Sequence, residues 1–495
     1  MRIGLSDVLE AGLWALFCLL FAYFLSGGAW VIAGGMLVVL ALVVAGLYAR
    51  PALIVAWLLG MPSAFVLIDK VIKDSGVPIV TADRGLMAFL VGGLVLHLLL
   101  RRAKMAPLAA LEKWMLTMLG VIVVSYLSTV PRKSGHDLYQ GIVLFIEGYV
   151  TPYAGYLLAR SRSWSERDIR RLLCGLAVLA VYLAAVGAAQ YFFSVLYFSP
   201  TWLGVGLTTD RAASGFGSPV EFGHVMVCLT LLCLLLHTAT QDAGARTLVL
   251  LAAVAAVAGV ALSLTRACWL AGLLALGYLF WNDARVRRVL VGGALVAGVG
   301  LAVALPFFMR TQVFEQRLTE LTPLYNRLAL WTTAGNMIVH NPIVGVGFGY
   351  RTFNDQKREY LVSFGPSALG KYALKPGVPH NEFLHVFAMM GLLGFIPFVM
   401  VYVSAVRLTR RWARAGPPAR SLRSRLAVCV QAMLVVFLVG GLVSEMWTFR
   451  YLLTLIFFML GILASASAPL PPAPLPPAPA DAAAAAPVGG ASLTP

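Results

Sequence analysis

The chain has 495 residues, of which 60% are hydrophobic and only 12% are charged, against about 25% charged residues in an ordinary soluble domain. The mean hydropathy is +0.85. This composition excludes a soluble enzyme, a disordered chain and a nucleic-acid-binding domain as the main interpretation, and it favours a polytopic membrane protein. The net charge of +17 is better explained by contact with anionic lipids and by topology, because Lys and Arg lie between apolar runs.

The apolar runs predict the transmembrane helices. One crossing needs roughly 20 apolar residues, and by that measure about 14 runs qualify. They are centred near Leu16, Val39, Trp57, Gly92, Val121, Tyr149, Ala180, Cys228, Ala256, Leu274, Val296, Pro397, Val435 and Phe457. We therefore expect an all-α polytopic integral membrane protein with about 12–14 transmembrane helices.

The positive-inside rule sets the orientation. With the N-terminus inside, 22 of the 38 Lys and Arg residues lie in inner segments. Of the 16 on the outer side, eight lie in one long loop, which the rule discounts. Both termini are therefore predicted to be cytoplasmic.

The chain divides into five parts by composition. Residues 1–139 and 140–308 hold transmembrane helices, residues 309–379 form a large outer loop, and residues 380–467 return to the membrane. Within the loop, apolar residues at helical spacing predict an amphipathic helix over Asn326 to His340. Residues 468–495 are rich in Pro and Ala, which predicts a disordered cytoplasmic tail.

Three ionisable residues stand out because topology puts all of them at the outer face, where such side chains are usually functional. Arg211 precedes one apolar run, Arg266 lies between two runs with almost no polar loop, and His380 follows Pro379 at the start of a long run. Each has an ordinary alternative: the arginines could be interfacial anchors, and His380 could be a residue at a helix start.

Metal and nucleotide sites are disfavoured by spacing. His380 and His385 are five residues apart, which is a rotation of about 140° on a helix, so they would not share a face. The six cysteines lie in apolar runs without metal-ligand spacing. The run Gly345-Val346-Gly347-Phe348-Gly349 lacks the preceding strand of a nucleotide-binding turn.

Two arginines and a histidine at one face suggest a reaction type. Guanidinium groups bind phosphoryl oxygens bidentately and stay charged, which suits a pyrophosphate. A neighbouring histidine can act as general base near neutral pH. Since ATP is absent outside the membrane, the substrate would have to arrive already activated, as a lipid-linked sugar pyrophosphate does.

The chain resembles the O-antigen ligase and polymerase superfamily of bacterial inner-membrane glycosyltransferases over roughly residues 140–465. The resemblance is carried by four motifs: Arg211 to Pro219, Ser263-Leu264-Thr265-Arg266, Asn326 to Gly347, and Pro379-His380-Asn381-Glu382-Phe383-Leu384 with Gly391-Leu392-Leu393-Gly394. It implies a GT-C-like fold and transfer of a glycan from undecaprenyl pyrophosphate, without metal, nucleotide or other cofactor.

The resemblance also implies roles for residues. Arg211 and Arg266 would bind the donor pyrophosphate, and His380 would be the catalytic base at the periplasmic face of the inner membrane. Secondary candidates are Arg327, Arg351, Glu221, Glu147 and Asn381. Loop salt bridges with Glu315, Glu320, Asp355 or Glu359 are an equal alternative for Arg327 and Arg351, and we expect Glu147 or Glu221 to orient Arg211 or Arg266.

Several functions remain open within this frame. A ligase would use lipid A–core as acceptor, whereas an O-antigen or exopolysaccharide polymerase would use a second lipid-linked glycan. A protein O-oligosaccharyltransferase is a third possibility. A transporter of the same lipid is disfavoured, because Glu147 and His97 are the only strong ionisable candidates in mid-span.

The topology gives a first prediction. A cysteine placed at Ser367 should react with a membrane-impermeant thiol reagent in intact cells, while one at Ala415 should react only after permeabilisation, because the charge bias puts these positions on opposite sides. Labelling at position 415 but not at 367 in intact cells would show that the protein has the opposite orientation in the membrane.

Overall fold

The structure is a computed structural model, and it describes residues 50–63, 81–99, 107–194, 211–293, 322–361, 377–414 and 421–465. Of these residues, 83% are helical and none forms a strand, which confirms the all-α fold. The predicted spans near Leu16, Val39 and Val296 and the tail over 468–495 lie outside the described residues.

The described helices are numbered in chain order. They are α1 Arg50–Gly60, α2 Ala82–Leu99, α3 Ala110–Thr129, α4 Gly135–Arg160, α5 Glu166–Phe193, α6 Pro219–Ala239, α7 Ala243–Leu262, α8 Arg266–Asn282, α9 284–293, α10 Thr322–His340, α11 Thr352–Gln356, α12 Glu382–Arg414, α13 Leu422–Gly441 and α14 Arg450–Ala464.

Seven of these helices are long and apolar enough to cross a membrane: α3, α4, α5, α6, α7, α12 and α13. Each contains one of the predicted span centres, and the centres near Trp57, Gly92, Leu274 and Phe457 fall in α1, α2, α8 and α14. The polytopic prediction is thereby confirmed for the part of the chain that the structure covers.

Polar residues fix where the long helices begin. Ser165 and Asp168 form a capping box at the start of α5. The side chains of Asp242 and Ser421 accept backbone N–H groups at the first turns of α7 and α13. These contacts satisfy N–H groups that a helix leaves without partners. These three apolar runs therefore have defined starts.

Buried ion pairs join the helices at one end of the bundle, which we call the basic end. The Nε of Arg425 in α13 lies 3.0 Å from Oδ2 of Asp283, which lies between α8 and α9. Arg423 donates to the carbonyl of Trp164. At the same end, the backbone N–H of Leu422 donates to Glu166 at the start of α5. The opposite end carries Arg211, Arg266 and His380, and we call it the site end.

Helix α12 is broken at Gly391, where φ is +58°. The carbonyls of Ala388 and Met389 that the break frees accept the backbone N–H groups of Val346 and Gly347. A Cβ at Gly391 would overlap the backbone at Ile343. The glycine-rich run of residues 345–349 is therefore a structural element that completes the hydrogen bonds of a broken helix.

The predicted amphipathic helix is present but begins earlier, at Thr322. Its buried residues are Ala329, Leu330, Thr333, Ala334 and Met337. Leu328, which the spacing placed on the apolar face, is instead 40% exposed. The apolar face is rotated from the expected one because α10 packs on α12, and that neighbour decides which side is buried.

Helices α4 and α14 pack closely because Gly461 lies against the backbone of α4. A Cβ at this position would overlap the Tyr156 carbonyl oxygen and lie 2.7 Å from the Ala159 Cβ. Because Gly461 has no side chain, the two backbones can approach each other, as they do at small residues in membrane bundles.

We expect Gly461→Ala to destabilise the detergent-purified protein by about 1–3 kcal/mol, because overpacking forces the helices apart. Thermal unfolding would measure this. Gly120→Ala is the matched control, since a Cβ there meets nothing within 4 Å and Ala is the better helix former. Equal unfolding temperatures for the two variants would show that α4 and α14 tolerate separation.

Candidate functional site

His380 lies outside the helix that its sequence seemed to open. Helix α12 begins at Glu382, and His380 has a left-handed backbone with φ of +48°. Asn381 caps the helix, because its Oδ1 accepts the N–H of Leu384 at 3.0 Å. The alternative that His380 is a residue at a helix start is therefore wrong by two residues, and Asn381 has a structural role.

The turn between α13 and α14, residues 442–449, contacts three consecutive residues of this segment. Asn381 Nδ2 donates to the Leu442 carbonyl at 3.1 Å, and the Trp447 N–H donates to Glu382 Oε2 at 3.1 Å. The backbone N–H of His380 donates to Glu445 Oε1. These contacts hold the left-handed conformation, which costs a non-glycine residue of order 1 kcal/mol or more.

The Glu445 carboxylate lies between two imidazoles. Its Oε2 is 3.2 Å from His380 Nδ1, and its Oε1 is 3.8 Å from His385 Nδ1. Burial alone would raise the pKa of Glu445, but the two imidazoles outweigh it and lower the pKa to about 2. Glu445 is therefore an ionised carboxylate at any physiological pH.

This arrangement corrects one prediction. His380 and His385 were expected on different faces because a helical rotation separates them. Both instead approach Glu445, since His380 precedes the helix and the rotation rule does not apply to it. Among the residues the structure describes, no group of three or more His, Cys, Asp or Glu side chains is arranged to hold a metal ion.

Arg211 and Arg266 are brought together by a turn between α7 and α8. Arg211 Nε donates to the Ser263 carbonyl at 3.0 Å, and its Nη2 donates to the Thr265 hydroxyl. Thr265 immediately precedes Arg266, the exposed first residue of α8. Leu264 in this turn has φ of +46°. The two arginines thus share one turn although they are far apart in sequence.

Arg327 of α10 interacts electrostatically both with Arg266 and with the Glu445 carboxylate that contacts His380. Burial lowers the pKa of its guanidinium, the Glu445 carboxylate raises it and Arg266 lowers it, so that the net change is downward. Arg327 is therefore close enough to interact electrostatically with both groups, and it stays charged. In the same helix, Trp331 Nε1 donates to the Pro379 carbonyl at 2.7 Å, next to His380.

Glu147 pairs with cations other than the expected ones, and Glu221 accepts a backbone N–H beside one of those cations. Glu147 forms ion pairs with Arg84 and with Arg450, the latter at 3.3 Å. Glu221 Oε1 accepts the N–H of Tyr451, beside Arg450. We expected Glu147 or Glu221 to orient Arg211 or Arg266, but the contacts of Glu147 are with cations of α2 and α14, and that of Glu221 is with the first turn of α14.

Arg351 lies apart from these contacts. It is exposed, with its guanidinium 5.2 Å from the centre of the Tyr350 ring. Asp355, which the loop salt-bridge alternative paired with Arg327 or Arg351, forms an ion pair with Lys133. Glu315 and Glu320 lie outside the described residues.

Sequence reasoning missed Glu445. It is an acid at the outer end of an apolar run, in Ser444-Glu445-Met446-Trp447, so the criterion that selected Arg211 would also have selected it. Arg450, five residues further on, carries the same signal.

Residues 251–399 match a family model described as O-antigen ligase. The matched segment contains Arg266, Arg327 and His380, while Arg211 and Glu445 lie outside it. The resemblance to the O-antigen ligase superfamily is confirmed over this part of the chain. No curated protein matches the chain. The family match indicates a function of the O-antigen ligase or polymerase type, with lipid-linked glycans as the general class of substrate.

Proposed function

We propose that this protein transfers a glycan from undecaprenyl pyrophosphate to an acceptor hydroxyl, as an O-antigen ligase does. The observation that carries the proposal is the charge arrangement at the site end. A carboxylate-bound imidazole and the guanidinium groups of three arginines lie at that end, on four separate segments of the chain, and Arg266 repels Arg327. An anionic ligand between the arginines would relieve that repulsion.

Arg211 and Arg266 bind the donor pyrophosphate and stabilise the negative charge that develops as it leaves. The Arg211 guanidinium is oriented by hydrogen bonds to Ser263 and Thr265. Its side chain therefore loses little conformational freedom when the lipid binds. Arg327 adds a third positive charge beside Arg266. With these charges in place, the reaction needs no metal ion.

His380 acts as the general base on the acceptor hydroxyl. Its side chain is 42% exposed, so an acceptor can reach it and the proton can pass on to water. Attack on the anomeric carbon opposite the pyrophosphate inverts that centre.

The location follows from the topology. The site end faces the periplasm, the basic end and both termini face the cytoplasm, and the protein lies in the inner membrane. Since the family model is described as O-antigen ligase, we take lipid A–core as the acceptor; turnover with only a second lipid-linked glycan would instead assign a polymerase.

We expect Arg211→Ala and Arg266→Ala each to abolish the thermal stabilisation of the detergent-purified protein by undecaprenyl pyrophosphate. This lipid is the common product whatever the glycan, and a ligand stabilises the state that binds it. Arg266→Lys should restore binding only in part, because Lys keeps the charge but loses the planar fork.

Arg407→Ala is the matched control, since Arg407 is an exposed arginine towards the basic end of α12. It should leave the stabilisation unchanged. Full stabilisation of both the Arg211 and Arg266 variants would remove the pyrophosphate role from the site end.

His380→Ala should lower kcat by about 10²–10⁴-fold, the usual worth of a general base, and leave undecaprenyl pyrophosphate binding intact. The measurement uses purified protein, lipid-linked glycan extracted from the producing cells, and lipid A–core. His340→Ala, an exposed histidine at the end of α10, should retain activity.

Two results would contradict the role of His380. Wild-type kcat in the His380 variant would exclude it as base. Loss of turnover in EDTA, restored by zinc, would replace base catalysis with a metal mechanism.

A further inference from the structure

The Glu445 side chain is buried, with about 8% of it exposed, and it belongs to a turn that follows the family-matched segment by some 45 residues. A buried charge is stable only when charged or hydrogen-bonding groups surround it. The groups that contact Glu445 are the His380 N–H, the His380 imidazole and the His385 imidazole, with Arg327 interacting electrostatically.

The pairing with His380 fixes which imidazole nitrogen carries the proton. An ionised carboxylate can only accept a hydrogen bond, so His380 Nδ1, 3.2 Å from Glu445 Oε2, must donate. In a neutral imidazole the other nitrogen, Nε2, then holds the free electron pair. That nitrogen is the one available to take a proton from an acceptor.

The same carboxylate also fixes the direction of the ring. Glu445 Oε1 accepts the backbone N–H of His380 while Oε2 accepts the side chain. This two-point contact joins the left-handed backbone and the imidazole plane to one rigid group. The ring therefore has little freedom to rotate.

We propose that Glu445 is the positioning residue of His380, holding the imidazole with Nδ1 protonated and Nε2 directed at the acceptor hydroxyl. This inference rests on the proposed function. Glu445 touches neither donor nor acceptor; it acts through His380, whose charge it stabilises when the proton arrives.

The acceptor oxygen forms a bond to the anomeric carbon, the bond from that carbon to the pyrophosphate oxygen breaks, and undecaprenyl pyrophosphate leaves with the electron pair. The acceptor proton goes to His380 Nε2 and then to water, because His380 is 42% exposed. Glu445 remains ionised throughout.

His385 does not relay this proton. Its Nδ1 lies 3.8 Å from Glu445 Oε1, which is beyond hydrogen-bond distance, and its ring is stacked on Phe353 and tilted against Trp447. It packs beside the carboxylate. Among the described residues, the ionisable groups that face Glu445 and His380 are thus His385, Arg327 and Glu382, the last at the first residue of α12.

Glu445→Gln tests the proposal in the same purified assay. We expect kcat to fall by about 10²-fold or more, KM to change little, and the acidic limb of the pH–rate profile to move to lower pH, because the protonated imidazole loses its carboxylate. Glu445→Asp should restore part of kcat and move the limb back.

Glu382→Gln is the matched control. Glu382 also has a buried carboxyl group, at the first residue of α12, but it accepts the N–H of Trp447 from the 442–449 turn instead of contacting the His380 ring, and a glutamine oxygen can accept the same bond. It should keep the wild-type pH profile. An unchanged kcat and pH profile in Glu445→Gln, or an equal loss in Glu382→Gln, would overturn the positioning role.

A second readout does not depend on turnover. Diethyl pyrocarbonate modifies neutral imidazoles, and chymotryptic cleavage after Phe383 separates His380 from His385 for mass spectrometry. The pH midpoint for modification of His380 should be lower in Glu445→Gln than in wild type. Equal midpoints would refute the pair even if His380→Ala is inactive. A lower midpoint together with an active His380→Ala variant would instead refute the proposed function alone.

Discussion

The contact between His380 and Glu445 is the interaction on which the site end depends. One buried carboxylate accepts both the backbone N–H and the ring N–H of the histidine, and it lies on a turn that also anchors the start of α12. Arg327 then interacts with the same carboxylate and with Arg266. A single negative charge thereby holds an imidazole in place and attracts Arg327, which Arg266 repels.

The membrane fold makes this arrangement possible by placing irregular backbone at one end of the bundle. Helix α12 breaks at Gly391, and residues 341–349 satisfy the carbonyls that the break frees. Non-helical backbone is tolerated at such a depth only where protein supplies its hydrogen bonds. The packing of α10 on α12 then brings Trp331 to the carbonyl of Pro379 and Arg327 to the site.

Hydropathy predicted the fold well, because a bilayer forces apolar runs of a set length to become helices. The convergence of Arg211, Arg266 and His380 at one end also followed from topology alone. What could not be predicted depends on contacts distant in sequence. Glu147 pairs with a residue 303 positions away, and the relation of the two histidines was wrong because His380 lies before the helix. The glycine run could not be explained without the break at Gly391, some 45 residues later.

The central claim is that the lipid pyrophosphate binds at the site end beside His380. A cryo-electron microscopy map of the full chain in lipid nanodiscs with undecaprenyl pyrophosphate would test it most directly. We predict pyrophosphate density within about 3 Å of the Arg211 and Arg266 guanidinium groups, with His380 Nε2 facing the adjoining space. Density for the pyrophosphate at the basic end, beside Arg423 and Arg425, with the site end empty, would contradict the account.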